Sequence, residues 1–214
     1  DAQESRGLGD VYKRQGANSV ISGGQSNTAS NSLTSVIGGT DNLANANCSA
    51  VLGGSSGTTR SISGNIVSAA SVTPVAAGSG ISQFANLVLG RQTTDATATV
   101  LTSTTAAATT TNQVILPNNS AYYFRGTVIA NVTGGGNTKS WTIEGAIKRG
   151  ANAASTTLVG TPTVTSAYAD VGAATWAITA TADTTNGGLA ITFTGQAGTT
   201  IRCVAKLETT EVTF

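Results

Sequence analysis

Ser19-Val-Ile-Ser-Gly-Gly-Gln-Ser-Asn-Thr-Ala29, Ser35-Val-Ile-Gly-Gly-Thr-Asp-Asn-Leu-Ala44 and Ala50-Val-Leu-Gly-Gly-Ser-Ser-Gly57 carry an apolar pair and two glycines three times, followed in the first two copies by Asn and Ala. The glycine pairs at 23–24, 38–39 and 53–54 lie 15 residues apart, and Asn27/Asn42 and Ala29/Ala44 keep that spacing. One extra residue, Ser22, offsets the apolar pair of the first copy. A fixed short period of this kind predicts stacked coils, each contributing a short strand and a tight turn. Gly supplies the positive φ such turns need, and Asn tolerates it. Each copy offers only Val20-Ile21, Val36-Ile37 or Val51-Leu52 for burial. That is too little for a solitary core, so several chains are expected to share one. A flexible Gly/Ser linker would show no phased apolar pairs.

The composition changes on both sides of the repeats. Residues 1–15, DAQESRGLGDVYKRQ, hold six charged residues against fifteen in the remaining 199. They are read as a non-native, adapter-derived segment or a linker, because Gly9–Gln15 resembles translated sequencing-adapter read-through. The chain has no Met, which points to a fragment with a missing upstream part. The repeats occupy 16–60, and 61–111 is expected to be a connector. Within it Leu87-Val-Leu-Gly-Arg91 echoes the repeat. Thr93–Thr111 is Thr/Ala-rich with almost no large apolar residue, and is expected to be extended or loosely packed, with a boundary near residue 110.

From 112 to 214 the grammar is that of alternating strands. Tyr122, Phe124, Gly126 and Val128 share one face, and Trp141, Ile143, Gly145 and Ile147 share one face of the next strand, across a loop at Thr133–Asn137. Trp176, Ile178 and Ala180 are followed by Leu189, Ile191 and Phe193 across a turn at Thr184–Gly188. A further turn at Gly195–Thr199 leads to a strand with Ile201, Cys203, Ala205 and Leu207 inward. About eight strands with turn signals roughly every ten residues predict a β-sandwich, jelly-roll-like and antiparallel. The fold class is therefore all-β: Gly-rich β-roll repeats, then a sandwich.

Two resemblances add to this reading. The repeat block is similar to trimeric adhesin head domains and phage fibre shafts, in which S-V-I-G followed by N-x-A builds left-handed β-rolls; the double glycine here departs from the single one usual in those heads. Gln113-Val-Ile-Leu-Pro-Asn-Asn-Ser-Ala-Tyr122, Ser140–Gly150, Ala182–Thr192 and the terminal Glu-Thr-Thr-Glu-Val-Thr-Phe resemble a C-terminal domain found at the ends of phage structural and tail-fibre proteins. Together they imply a homotrimeric tail-fibre tip of a virion, or an extracellular appendage, that binds a host-surface glycan or protein. A bacterial trimeric adhesin fragment and a polysaccharide-degrading phage spike are the alternatives.

Composition narrows the chemistry. The chain has 214 residues, a formal net charge of +1, 10% charged and 5% aromatic residues, and no His. Lacking His, it lacks the commonest general base and zinc ligand and any Ser-His-Asp arrangement, so no enzyme, cofactor or metal is expected. The scattered basic residues argue against a nucleic-acid partner, and no apolar run of membrane-spanning length occurs, so no membrane insertion is expected. Cys48 and Cys203 are expected to be small buried apolar residues. Among the carboxylates, Glu144, Asp170, Asp183, Glu208 and Glu211 could pair for glycoside cleavage, but Asp183 precedes a turn, and Glu208 and Glu211 are read as flanking a Thr-Thr turn. Lys139 and Lys206 could serve a Ser-Lys self-cleavage site, without a motif to support it. The triplets at Asn47, Asn118 and Asn131 match a glycosylation acceptor by chance expectation in an Asn/Thr-rich chain. The candidate ligand-binding residues are Tyr123 and Arg125, outward on their strand and suited to stacking on and bonding to a sugar, with Asn119 and Lys148.

Overall fold

A computed structural model describes residues 13–14, 16–71 and 74–214. The structure is all-β. The short strands are β1 (Lys13–Arg14), β2 (Val20–Ile21), β3 (Thr28–Ala29), β4 (Ser35–Val36), β5 (Leu43–Ala44), β6 (Ala50–Val51) and β7 (Ile66–Ala69). They are followed by β8 (Ser82–Thr93), β9 (Thr99–Val100), β10 (Val114–Ile115), β11 (Ser120–Val132), β12 (Thr138–Arg149), β13 (Thr157–Ala169), β14 (Ala177–Asp183), β15 (Gly188–Thr194) and β16 (Ile201–Thr213). The chain forms two compact units, one running up to Asn86 and including Thr210–Phe214, the other Leu87–Thr209. Of the charged segment 1–15, all but Lys13 and Arg14 lies outside the described residues, so its expected non-native origin does too. Those two pair in parallel with Thr28 and Ala29, at the same 15-residue step as the repeats.

In the first unit the repeats stack in parallel. Strands β2, β4, β6 and β7 form one ladder and β1, β3 and β5 another. The register is Val20↔Ser35↔Ala50↔Ile66 and Ile21↔Val36↔Val51↔Val67. The glycine pairs, not the apolar pairs, set this alignment. Ser22 is therefore no insertion: it occupies the position that Ile37 and Leu52 fill in the next coils. Only Ile21, Val36 and Val51 of the six apolar-pair residues turn inward, where they pack with Ala29 and Ala44. Val20, Ile37 and Leu52 face outward.

Buried asparagines join the coils. Asn42 Nδ2 donates to the carbonyls of Gly38 (2.9 Å) and Gly54 (3.0 Å), and its Oδ1 accepts from the Gly57 N–H (2.8 Å). Asn27 makes the corresponding bonds to Gly23, Gly39 and the Asn42 N–H. The corners between strands need left-handed backbone: Gly24 and Gly39 at φ 93° and 90°, and the non-glycine ladders Asn18/Leu33/Cys48 and Ser26/Asp41/Ser56 at φ between 54° and 60°. A Cβ at Gly39 would run into the Gly54 carbonyl as well as suffering that φ. Cys48 thus sits exposed on a corner, contrary to the expectation that it is buried, because an αL corner carries its side chain away from the coil interior.

The first unit is closed by an ion pair. Arg60 Nε donates to Glu211 Oε2 at 2.9 Å, Gln83 Nε2 donates to the same oxygen at 2.8 Å, and Arg60 Nη2 donates to the Gly80 carbonyl. Glu208 and Glu211 do not flank a turn. Both lie within β16, with Glu208 on its outward side and Glu211 buried.

In the second unit the larger sheet has the order β13-β12-β11-β16-β8, and the smaller is the β14–β15 hairpin with β9 and β10 pairing β15. The order β16-β11-β12-β13 is that of one Greek key, a wiring short of the two that make a jelly roll. Every inward residue expected on β11, β12, β14, β15 and β16 except the two glycines is buried. Trp141 and Trp176 both meet Phe193 in T-shaped contacts, at 6.2 and 6.3 Å between centroids, and the Trp141 contact joins the two sheets. Their spacing is that of favourable aromatic pairs.

Residues 61–111, expected as a connector, contain β7, β8 and β9, and the second unit starts at Leu87 instead of near residue 110. Leu87, Leu89 and Leu101 are buried there. The Thr/Ala tract is held by polar clamps in place of apolar contacts. Arg91 donates to the carbonyls of Val100, Thr105 and Ala106, and Asn112 Nδ2 donates to Ala107.

Two outcomes are expected. Asn42→Ala removes three hydrogen bonds and leaves the buried Gly57 N–H without its Asn42 Oδ1 acceptor, so it should cost about 2–4 kcal/mol in urea unfolding. Cys203 is buried, which pushes its thiol up to about 12, whereas Cys48 is exposed. A thiol-reactive disulfide dye at pH 8 should titrate one thiol per native chain and two after denaturation.

Candidate functional site

The outward face of the larger sheet in the second unit concentrates polar and aromatic groups. Alternation along β11 turns Tyr122, Phe124 and Val128 into the core, so Tyr123, Arg125 and Thr127 face out. The β11–β12 register sets Arg125 opposite Glu144, Thr127 opposite Thr142, and Ala121 opposite Lys148. On the other side of β11, β16 presents Lys206 and Glu208 by the same alternation. Gly126 allows the two strands to close here, since a Cβ would meet the Lys206 carbonyl and the Leu207 side chain.

Between these strands lies a shallow depression of about 340 Å3 whose side chains include Arg125, Thr127, Thr142, Glu144, Lys206 and Glu208. Arg125 Nε donates to Glu208 Oε2 at 2.9 Å, and Lys206 Nζ donates to Glu208 Oε1 at 2.6 Å. Tyr123 Oη donates to Glu144 Oε2 at 3.4 Å. Hydrogen bonds from Lys206 and then Arg125 hold the Glu208 carboxyl below the usual carboxylate range, and the bond to Glu208 raises Arg125 above its ordinary value. Glu208 is thus a fixed acceptor. The proton donor of a glycosidase needs the opposite shift. The Nε bond leaves both terminal nitrogens of Arg125 as donors for a ligand.

Of the residues expected to bind, Arg125 lines this depression, and Tyr123 stands outside its lining, bonded to Glu144. Lys148 shares the face and is diagonal to Tyr123 across the β11–β12 pair, within reach of a long side chain. Asn119 is elsewhere: it takes φ 57° in the turn before β11, where its N–H donates to the Gly150 carbonyl, roughly 20 Å along the strand from Arg125. Lys206 and Glu208 were missed as binding groups. The alternation of β16 marks them as outward, but nothing local says that β16 lies beside a strand some eighty residues earlier. Arg149, neighbour of Lys148 in sequence, turns away from it and donates to the Leu116 and Gly187 carbonyls.

The remaining carboxylates serve the loops. Asp170 Oδ2 accepts from the Thr138 N–H at 2.8 Å. Asp183 Oδ1 accepts from the N–H groups of Thr185 and Asn186, and Oδ2 from the side chains of Asn186 and Gln113. Lys139 Nζ donates to the Ala174 and Trp176 carbonyls and stands over the Trp141 ring. Among the described residues, no three His, Cys, Asp or Glu side chains converge as a metal site, and no helix is long and apolar enough to cross a membrane. No protein-family model and no curated protein matches the chain.

Burial alone would raise the Asp183 carboxyl, but the bonds from Asn186, Gln113 and Thr185 outweigh it and the net shift is downward. A lowered folded value stabilises above the unfolded value of about 3.9 and is lost as pH falls through the folded one. Asp183→Ala should therefore cost about 1–3 kcal/mol at pH 7, with the gap from wild type narrowing below pH ~4 in urea unfolding. An equal gap at both pH values would mean that the charge does not hold the turn.

Proposed function

We propose that the chain is a structural and receptor-binding segment of a homotrimeric surface appendage such as a phage tail fibre, carried on a virion or an extracellular surface. In this reading it works without catalysis. The stacked coils form part of a stalk, and the outward β11–β12–β16 face of the second unit binds a host-surface glycan.

The observation that carries this reading is the depression around Arg125 and Glu208. Its lining holds two cations and two carboxylates, and the half-exposed Tyr123 stands beside it, bonded to Glu144. The balance of charge suits a neutral, hydroxyl-rich ligand better than an anion. Carboxylates and guanidinium offer acceptors and donors to vicinal hydroxyls, and the tyrosine offers an apolar face to a sugar ring. Ion pairing holds these groups in place before a ligand arrives, which lowers the ordering cost of binding.

The test is a glycan array probed with the full chain, followed by calorimetry on any hit. Arg125→Ala and Tyr123→Ala should each weaken binding about tenfold or more, with circular dichroism unchanged. Retained affinity in both variants would remove this face from the reading. Release of reducing sugar from a bound polysaccharide would instead identify a degrading spike.

A further inference from the structure

We infer that the outward face of the coil sheet in the first unit is where copies of this chain meet. This rests on the reading of the chain as a shared fibre, and names the surface through which sharing occurs. The parallel register of the coils, continued by the antiparallel pairing of β7 with β8, lines up Ile37, Leu52, Ser68 and Phe84 in one row and Val20 and Ile66 in the next, all on the side opposite Val36, Val51 and Val67. Val20, Ile37, Leu52, Ile66 and Phe84 are 40–54% exposed. The positions between them are Ser, Ala and Asn, and none is charged.

Large apolar residues stand on both sides of this sheet. The interior holds Ala29, Val36, Ala44, Val51 and Val67, with Ile21 packed against them, while Ile37, Leu52 and Phe84 stand outside. Large aliphatics are normally the residues a fold buries first. Five such side chains at half exposure leave on the order of 400 Å2 of apolar surface, a size at which exposed patches mark interaction sites. Two copies together bring about 800 Å2 of it, about half the total of a standard interface, and the small residues between add the rest of the contact.

The spacing selects the occupant. Coils are stacked one strand spacing apart, ~4.8 Å, and the apolar side chains recur with the coils. The surface certain to present the same ladder at the same step is this sheet on a second copy. A rotation axis along the stacking direction sets each coil against its equivalent, Ile37 by Ile37 and Leu52 by Leu52. The absence of charge removes any like-charge repulsion between identical faces, and no Lys or Pro blocks the approach as on surfaces that avoid self-association.

The experiment is the mass of the full chain by light scattering during size-exclusion chromatography, for wild type, Leu52→Lys and a control, Val171→Lys, at an exposed position of the other unit. The expected result is a wild-type mass of three chains, a threefold drop for Leu52→Lys with unchanged circular dichroism, and no change for Val171→Lys. A Leu52→Lys variant that keeps the wild-type mass overturns the assigned surface and leaves the fibre reading standing. A wild-type mass of one chain overturns both. Should Leu52→Lys misfold, Ile37→Cys in a Cys48→Ser background decides: interchain disulfide under mild oxidation supports the interface, and its absence overturns it.

Discussion

The first unit depends on the side-chain amides of two buried asparagines, Asn27 and Asn42, in successive coils. Asn27 and Asn42 each reach back to a glycine carbonyl of their own coil and forward to one of the next, while their Oδ1 atoms accept from the following coil. Parallel strands of two residues cannot hold one another by ladder bonds alone, and a core of two valines and two alanines adds little burial. The amide supplies both donors and the acceptor needed at a corner where the backbone would otherwise be orphaned. The rest follows from it. Glycines must stand where the amide approaches the carbonyls, the register is fixed at 15 residues, and the larger aliphatics are left outside.

The second unit applies the same economy to charge. Long cationic side chains there bind backbone carbonyls: Arg91 holds the 100–106 segment, Lys139 the 174–176 loop, and Arg149 the ends of Leu116 and Gly187. Asp170 and Asp183 hold loop N–H groups in the complementary sense. Connections rich in Thr, Ala and Gly have few apolar side chains with which to pack, so polar ties take that role. Arg125, Lys206 and Glu208 stand apart because they pair with one another on an open sheet face.

Much of this was legible locally. Period-two alternation located the inward residues of β11, β12 and β14–β16, and the turn around Asn186 was marked by its Thr-Thr-Asn-Gly-Gly composition. The repeat period was legible too, but its phase was not. The pairs Val20-Ile21 and Val36-Ile37 look equivalent in sequence, whereas the backbone aligns Ile21 with Val36 through the glycines. Features set by distant chain segments stayed hidden. Glu211 reads as a turn neighbour until Arg60 is seen beside it, and residues 93–111 read as slack until Arg91 and Asn112 are seen to grip them. The binding candidates divide the same way. Tyr123 and Arg125 follow from one strand, while Lys206 and Glu208 require knowing which strands are neighbours.

The coil register also makes length a discrete quantity. Successive coils meet through glycine carbonyls and left-handed corners, and the first two also through the Asn27 and Asn42 amides, so the stack is built in whole units of 15 residues. Slippage between repeats in the gene that removes or adds one unit would shorten or lengthen the stack by one strand spacing, ~4.8 Å. A partial unit would break the asparagine ladder. Such a chain can vary the length of its stack in steps while keeping the sequence of the unit that follows it unchanged.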